Sequence, residues 1–406
     1  MADEQVDTLI IGGGQAGLAM SEHLGAAGVP HLVVERHRIA ERWRSERWDS
    51  LVANGPAWHD RFPTQEFSDI DPASFATKDR IVSYLEAHAR QNKTPVREGV
   101  AVKALTRGAD GRFTAETTAG RIVAKRVVAA TGPFQKPVIP KLVPIDSGLL
   151  QIHSAHYRNP DQLPGGAVLV VGAGSSGVQI ADELRRSGRT VYLSVGPHDR
   201  PPRAYRGKDF VWWLGALGKW DAKTITPGME HVTIAVSGAH GGHTVDFNDL
   251  AVSGITLLGR ATACADGVMS FSADVARNVA AGNANYLSVL DEADLYIAKN
   301  GLDFPPEPEA RRPRPLPDCL KTPVLSLDLA EADVRSIIWA TGYALDFGWM
   351  KIDVFDGKGQ PIHERGVSKV PGLYFLGLAW LSRRASPFIW GVWHDAKYLA
   401  EQIAAG

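Results

Sequence analysis

The sequence predicts an α/β chain carrying two parallel-sheet units, and three observations predict it. A strand-like run, Val6 to Ile11, feeds GGGQAG at Gly12 to Gly17, after which Leu18, Ala19 and Leu24 recur at helical spacing. The same order returns at Ala167 to Val171, GAGSSG at Gly172 to Gly177, and Val178, Ile180, Ala181 and Leu184. Two further strand-like runs each end in ATG, at Ala130 to Gly132 and at Ala340 to Gly342.

In the first unit, strand, glycine turn, helix and a second strand, His31 to Val34, end in an acid, Glu35. This is a Rossmann dinucleotide-binding pattern: Gly12 makes the turn, Gly14 admits a pyrophosphate, and Gly17 lets helix and strand pack closely. The helix N-terminus favours the phosphates. A carboxylate at Glu35 accepts hydrogen bonds from both ribose hydroxyls and repels a 2′-phosphate, so FAD or NAD fits and NADP does not.

The second unit differs at the corresponding strand end. Thr190 to Val195 carries no acid, and past Ser194 come Arg200, Arg203, Arg206 and Lys208. Cations there suit a 2′-phosphate, which favours NADPH over NADH, with Arg203 foremost; a solvated basic loop is the other account. Opposite charge preference at the two sites implies two dinucleotides, FAD first and NADPH second. Hydride would then pass from nicotinamide to flavin.

Between the units, Val96 to Val102, Phe113 to Thr117, Arg121 to Ala124 and Val127 to Ala130 read as a small antiparallel meander. Phe271 to Asn300 reads as two helices. Proline-rich Asp303 to Pro323 reads as an irregular return crossing, and Gly372 onward as a strand and helix closing the first domain. The expected FAD domain is therefore discontinuous, 1–160 and 325–406, with an NADPH domain at 161–324 inserted into it. Trp212, Trp213 and Trp220 could wall a pocket or fill a core, whereas His240 and His243 in a glycine-rich loop without a nearby thiol make a poor metal site.

Composition removes other classes. The 406 residues, 44% hydrophobic and 22% charged, suit an ordinary globular protein of two or three domains. A net charge of -1 supplies no basic field for nucleic acid. Two cysteines, Cys264 and Cys319, without a CxxC pair exclude a disulfide scaffold, a zinc ribbon and a dithiol relay. The acidic start lacks signal-peptide character and no run reaches the roughly 18–20 apolar residues of a membrane span, so a cytoplasmic chain is expected.

The two fingerprints, the linker HSAHYRNP and the paired ATG turns resemble the class B flavin-dependent monooxygenases, which include flavin-containing and plant-type indole-pyruvate monooxygenases. The double fingerprint alone is shared with glutathione-reductase-like enzymes. Gly148, His153 and Tyr157 align with the family's linker motif, although Asp146 stands where it has phenylalanine and the Gly148–His153 spacing is one residue longer. The resemblance implies a catalytic His153 with Tyr157; a hinge histidine satisfied by backbone is the other reading. It also puts Asn54 over the reactive edge of the flavin, where an Asn-Gly turn would by itself explain that residue. Trp43, Arg44, Thr131, Ser175, Ser176, Thr341, Gly342 and Trp390 become cofactor contacts.

The implied reaction is NADPH reduction of FAD, then transfer of one atom of O2 to a small organic substrate through a C4a-hydroperoxyflavin. No YPG segment precedes Trp48 and Tyr157 replaces the linker tryptophan of the Baeyer–Villiger branch. That favours nitrogen, sulfur or carbon oxygenation, or oxidative decarboxylation of a 2-oxo acid. A reductase serving a quinone or protein acceptor and a non-catalytic redox sensor are the rival readings, and a homodimer is compatible with such folds.

Overall fold

The computed structural model describes residues 3–223 and 233–406. Its two main sheets are built on the two glycine turns. The first runs in the order His363–Glu364, Val367–Ser368, Leu373–Phe375, Gly120–Ala129, Glu4–Ile11, His31–Val34 and Val96–Arg97. From Leu373–Phe375 to Val96–Arg97 all neighbours are parallel. The second is parallel throughout, ordered Ile255–Leu258, Val191–Ser194, Ala167–Val171, Val334–Trp339 and Leu150–His153. The central strands are covered on both faces and so read as continuous apolar runs: in the second sheet Val168 and Val170 pack toward Ser175–Arg186, and Leu169 and Val171 toward Met269 and Phe271 of a small antiparallel sheet.

In each sheet the strand before the glycine turn lies between the strand that follows its helix and the strand that ends in ATG. That is the topological switch point, where a ligand finds the crevice beyond the strand ends. The repeated ATG has a packing cause: a Cβ on Gly12 would come within 2.6 Å of the Ala130 carbonyl oxygen, and one on Gly172 within 2.4 Å of that of Ala340. Each ATG strand therefore belongs beside its own glycine turn.

Sheet membership departs from the expected division at 160 and 325. Leu150–His153 and Val334–Trp339 both enter the second sheet, although the sequence assigned them to the first domain. The crossings thus lie near 132–138 and 341–344, where Lys136–Pro137 pairs with Tyr343–Ala344. The meander is present as Val102–Arg107, Phe113–Thr117 and Gly120–Ala129, while Val96–Arg97 instead joins the parallel edge.

The segment read as two helices is a single helix, Val275–Asn300. Its Gly282 is no break: a Cβ there would sit 2.5 Å from His198 Nε2, so the residue is small to admit a neighbour. The terminal helix Ile389–Ala405 packs on Gln15–Ala26 and closes the first unit.

Candidate functional site

The helix Gln15–Ala26 starts at Gly14 with no side-chain cap and no acid in its first turn, and a Cβ on Gly14 would meet nothing within 4 Å. Room and an uncapped positive helix end coincide, as a pyrophosphate requires. Gly17 does the opposite: its Cβ would lie 1.9 Å from the Gly12 carbonyl oxygen, so only glycine lets the turn close. Glu35 stands at the end of the adjacent strand, accepting hydrogen bonds from the Gly13 amide at 2.7 Å and the His37 amide at 2.9 Å. The residues present fit a dinucleotide whose ribose carries free hydroxyls.

Gln15 ties further segments to this turn. Its amide donates to the Pro387 carbonyl at 2.7 Å, and its oxygen lies 3.5 Å from the Trp43 indole nitrogen. Trp43 is thereby held beside the turn, whereas Arg44 is paired with Glu86. Thr131 accepts a hydrogen bond from the Gln135 side chain at 2.9 Å.

The second turn repeats the closure, with a Gly177 Cβ 1.8 Å from the Gly172 carbonyl oxygen. Gly174 caps Ser175–Arg186 without a side-chain bond. Here a short segment crosses the turn: the Ser175 amide and hydroxyl both donate to the Ile234 carbonyl at 2.8 Å, and Thr233 Cγ2 is 3.3 Å from a Cβ on Gly174. Ser176 is half-buried in the same first turn. Ser194 is buried and bridges Gly259 and Ala261.

The arginines singled out beyond Ser194 turn inward. Arg200 is 5% exposed, paired with Asp246 at 2.9 Å and stacked over Tyr286. Arg203 is 6% exposed, paired with Asp209 at 2.5 Å, donating to the Asn54 carbonyl and lying over Phe75. Both guanidiniums are paired inside the protein, with Arg203 Nε left buried and unpartnered. The cation beside the acid-free strand end is Arg260, whose Cγ lies 3.5 Å from a Cβ on Gly196. Its Nε donates to Asp274 at 2.8 Å and its side chain is 57% exposed; Arg277 reaches the same carboxylate at 3.7 Å. Burial pushes the Asp274 carboxyl up, but the amide and guanidinium bonds of Arg260 outweigh it and hold the group below the usual carboxylate range.

Of the linker residues, His153 is fully buried, with Nε2 2.9 Å from the Gly342 carbonyl and Nδ1 accepting from the Ala155 amide. The tautomer is thereby fixed with the proton on Nε2, and burial holds the ring below the usual imidazole range. This is hinge geometry: Gly342 also accepts from the Val138 amide, and Thr341 donates to the Val138 carbonyl. Tyr157 is fully buried and donates to Glu183 at 2.8 Å; burial, reinforced by that carboxylate, raises its phenol above the ordinary range.

Asn54 stands between the two units. Its side-chain oxygen accepts from Gln179, on the second glycine helix, at 2.9 Å. Its turn also carries His59 and Asp60, which the sequence did not single out. Asp60 accepts from the Gly55 amide at 2.9 Å and from His59 Nδ1 at 2.7 Å. His59 is stacked on Trp220 at 5.1 Å and on Trp390 at 5.8 Å.

A family model described as pyridine nucleotide-disulphide oxidoreductase matches residues 9–214, about half of the chain. The chain belongs to this family. Among relatives of this chain, an "uncharacterized oxidoreductase CzcO-like" of Geobacillus kaustophilus is 35% identical over 98% of each chain. The rice indole-3-pyruvate monooxygenase YUCCA1 is 32% identical over 44% of this chain and 45% of its own. In structure, the flavin-containing monooxygenase of Stenotrophomonas maltophilia superposes with a TM-score of 0.68 over 99% of both chains at 19% identity. The resemblance to class B flavin-dependent monooxygenases read from the sequence is thus matched, and the protein is a flavoprotein-type oxidoreductase with the fold of that group. Among the described residues no helix is long and apolar enough to cross a membrane, and no group of three or more His, Cys, Asp or Glu could hold a metal.

Proposed function

We propose that this oxidoreductase is an NADPH- and O2-dependent FAD monooxygenase acting on a small organic substrate. FAD occupies the first turn, with Gly12, Gly14 and Gly17 admitting its pyrophosphate and Glu35 receiving its ribose hydroxyls. NADPH occupies the second, at Gly172, Gly174 and Gly177, and its 2′-phosphate is received by Arg260 rather than by Arg200 or Arg203. The FAD unit then comprises the first sheet, and the NADPH unit the second sheet with its inserted helices.

The observation that carries this reading is the unlike pair of strand ends: a carboxylate bonded to the first turn, an exposed guanidinium beside the second. Like charges at both would have asked for two copies of one nucleotide. Flavin supplies the oxygen chemistry when bound. The chain's part is to hold the two nucleotides at one junction, where Asn54 meets Gln179, and to exclude water with Trp43, Trp220 and Trp390. The names of the rice and Stenotrophomonas relatives support oxygenation over electron delivery to a quinone or protein.

Stopped-flow absorbance tests this. FAD-loaded protein reduced with NADPH and mixed with O2 should show a band at about 360–380 nm before oxidised flavin returns. Direct return to oxidised flavin with stoichiometric peroxide would defeat the oxygenase reading and leave a reductase.

A further inference from the structure

His59 is 5% exposed, and its Nε2 is buried without a hydrogen-bond partner. An unsatisfied buried polar atom is an uncommon and costly feature that calls for a ligand or a chemical role. Its other nitrogen is not idle. Nδ1 faces the Asp60 carboxylate, so in the neutral ring that nitrogen carries the proton and Nε2 presents a lone pair. Asp60 is itself pinned by the Gly55 amide, and the amides of both His59 and Asp60 donate to the Pro56 carbonyl. The imidazole is therefore held in one tautomer and one orientation by a turn that spends three bonds on it.

Its surroundings come from its own turn and two distant parts of the chain. The indoles of Trp220 and Trp390 lie within about 22° of parallel to the imidazole, and Trp58 meets it edge-on at 5.6 Å. Trp58 and Phe388, which packs edge-on against Trp220, are the exposed rim of this cluster at 38% and 42%. Phe388 follows Pro387, whose carbonyl is bonded to Gln15 at the start of the first glycine helix. Trp220 and Trp390 also touch each other, with centroids 5.8 Å apart, so a polarised nitrogen sits inside a closed aromatic box that Pro387 and Gln15 link to the first nucleotide turn.

We propose that this box is the organic-substrate pocket and that His59 Nε2 accepts a hydrogen bond from an O–H, N–H or S–H donor on a flat aromatic substrate. Flat rings match the indole faces, and a donor matches the buried imidazole nitrogen left unsatisfied against them. The assignment rests on the oxygenase reading for what happens next, but its test does not.

FAD-loaded protein without NADPH is titrated with 2-naphthol and with 2-methoxynaphthalene, which share the ring system and differ in the donor; binding is read from the flavin difference spectrum. Wild-type protein should prefer 2-naphthol by roughly tenfold, the size of one buried hydrogen bond. His59→Phe, which keeps the stacking, should reduce the preference to within about twofold, by the same hydrogen-bond arithmetic. His59→Gln, which can offer an acceptor near the position of Nε2, should restore part of it, and Asp60→Asn should weaken it by releasing the tautomer. Equal affinity of wild type for both probes, an undiminished preference in His59→Phe, or loss of FAD from both His59 variants would overturn the proposal. Loss of FAD would make the imidazole a flavin contact instead. A naphthol preference in a protein that never oxygenates would uphold the pocket and defeat only the oxygenase reading.

Discussion

Replacing Arg260 by alanine should remove discrimination for the 2′-phosphate without touching the rest of nucleotide recognition. The side chain lies beside Gly196, just beyond the end of Val191–Ser194, with Nε fixed by Asp274 and more than half its surface in solvent. A hydrogen bond to a charged partner contributes about 1.5–3 kcal/mol. Exposure and salt screening place this one at the lower end, so the expected loss is about 1.5 kcal/mol, roughly tenfold in affinity. Calorimetric titration with 2′,5′-ADP and with 5′-AMP isolates the effect from chemistry. Arg260→Ala should weaken only the first, by about tenfold at low ionic strength and less at high, and Arg260→Lys should fall between because it keeps the charge and loses the planar fork. Asp274 keeps Arg277, so the fold should be retained, which a thermal melt checks. An unchanged 2′,5′-ADP preference in Arg260→Ala, together with a selective loss in Arg203→Ala, would refute the reasoning and return the phosphate to the inward-facing arginines.

Gly17→Ala should cost at least 2–3 kcal/mol and empty the FAD site, because its Cβ would overlap the Gly12 carbonyl; Gly14→Ala, with open space around it, should fold normally and lose FAD affinity alone, as flavin content after gel filtration will tell. Gly282→Ala should lower stability by about 1–3 kcal/mol in urea unfolding, since the new methyl would meet His198 Nε2. Acid should destabilise the protein early: burial lowers the folded-state pKa of His23, His31, His153, His198 and His363, so the unfolded chain binds more protons once pH falls below about 6.5. The stability these neutral rings contribute is whole above that value and is lost below it, so Tm should drop between pH 7 and 5; a flat Tm across that range would contradict the burial.

What the sequence made legible was governed by local rules. GGGQAG and GAGSSG sit between a strand and a helix because Gly17 and Gly177 must let a carbonyl approach and Gly14 must stay open, constraints that act within six residues. Glu35 was readable for the same reason, as a strand-end acid at a fixed distance from its turn. Arg200 and Arg203 read as available cations because no local pattern tells a paired arginine from a free one; the structure pairs them with Asp246 and Asp209. Arg260 was invisible because it reaches the site through sheet neighbours, from the strand after Val191–Ser194. His59 was invisible because Trp220 and Trp390 stand 161 and 331 residues further along the chain. The second ATG strand fell within the range expected for the first domain, yet pairs in the second sheet, because a repeated motif says which turn-type it serves, not which copy.

The turn from Asn54 to Asp60 links the two units built on the glycine turns. It belongs to the first unit by chain, yet Gln179 of the second glycine helix holds the Asn54 side chain and Arg203 holds its carbonyl. The next residue, Gly55, donates to Asp60, and Asp60 orients His59 against Trp390 of the terminal helix. A Cβ on Gly55 would lie 2.4 Å from Asp60 Oδ1 and would push that carboxylate from its place. A short run of bonds therefore leads from the second nucleotide turn to the aromatic box with no flexible segment between. A displacement of the Ser175–Arg186 helix that pulls on Gln179 acts on the same turn that fixes the His59 tautomer. Under the proposed monooxygenase reading, a site that needs both nucleotides seated is served by a turn that both units hold.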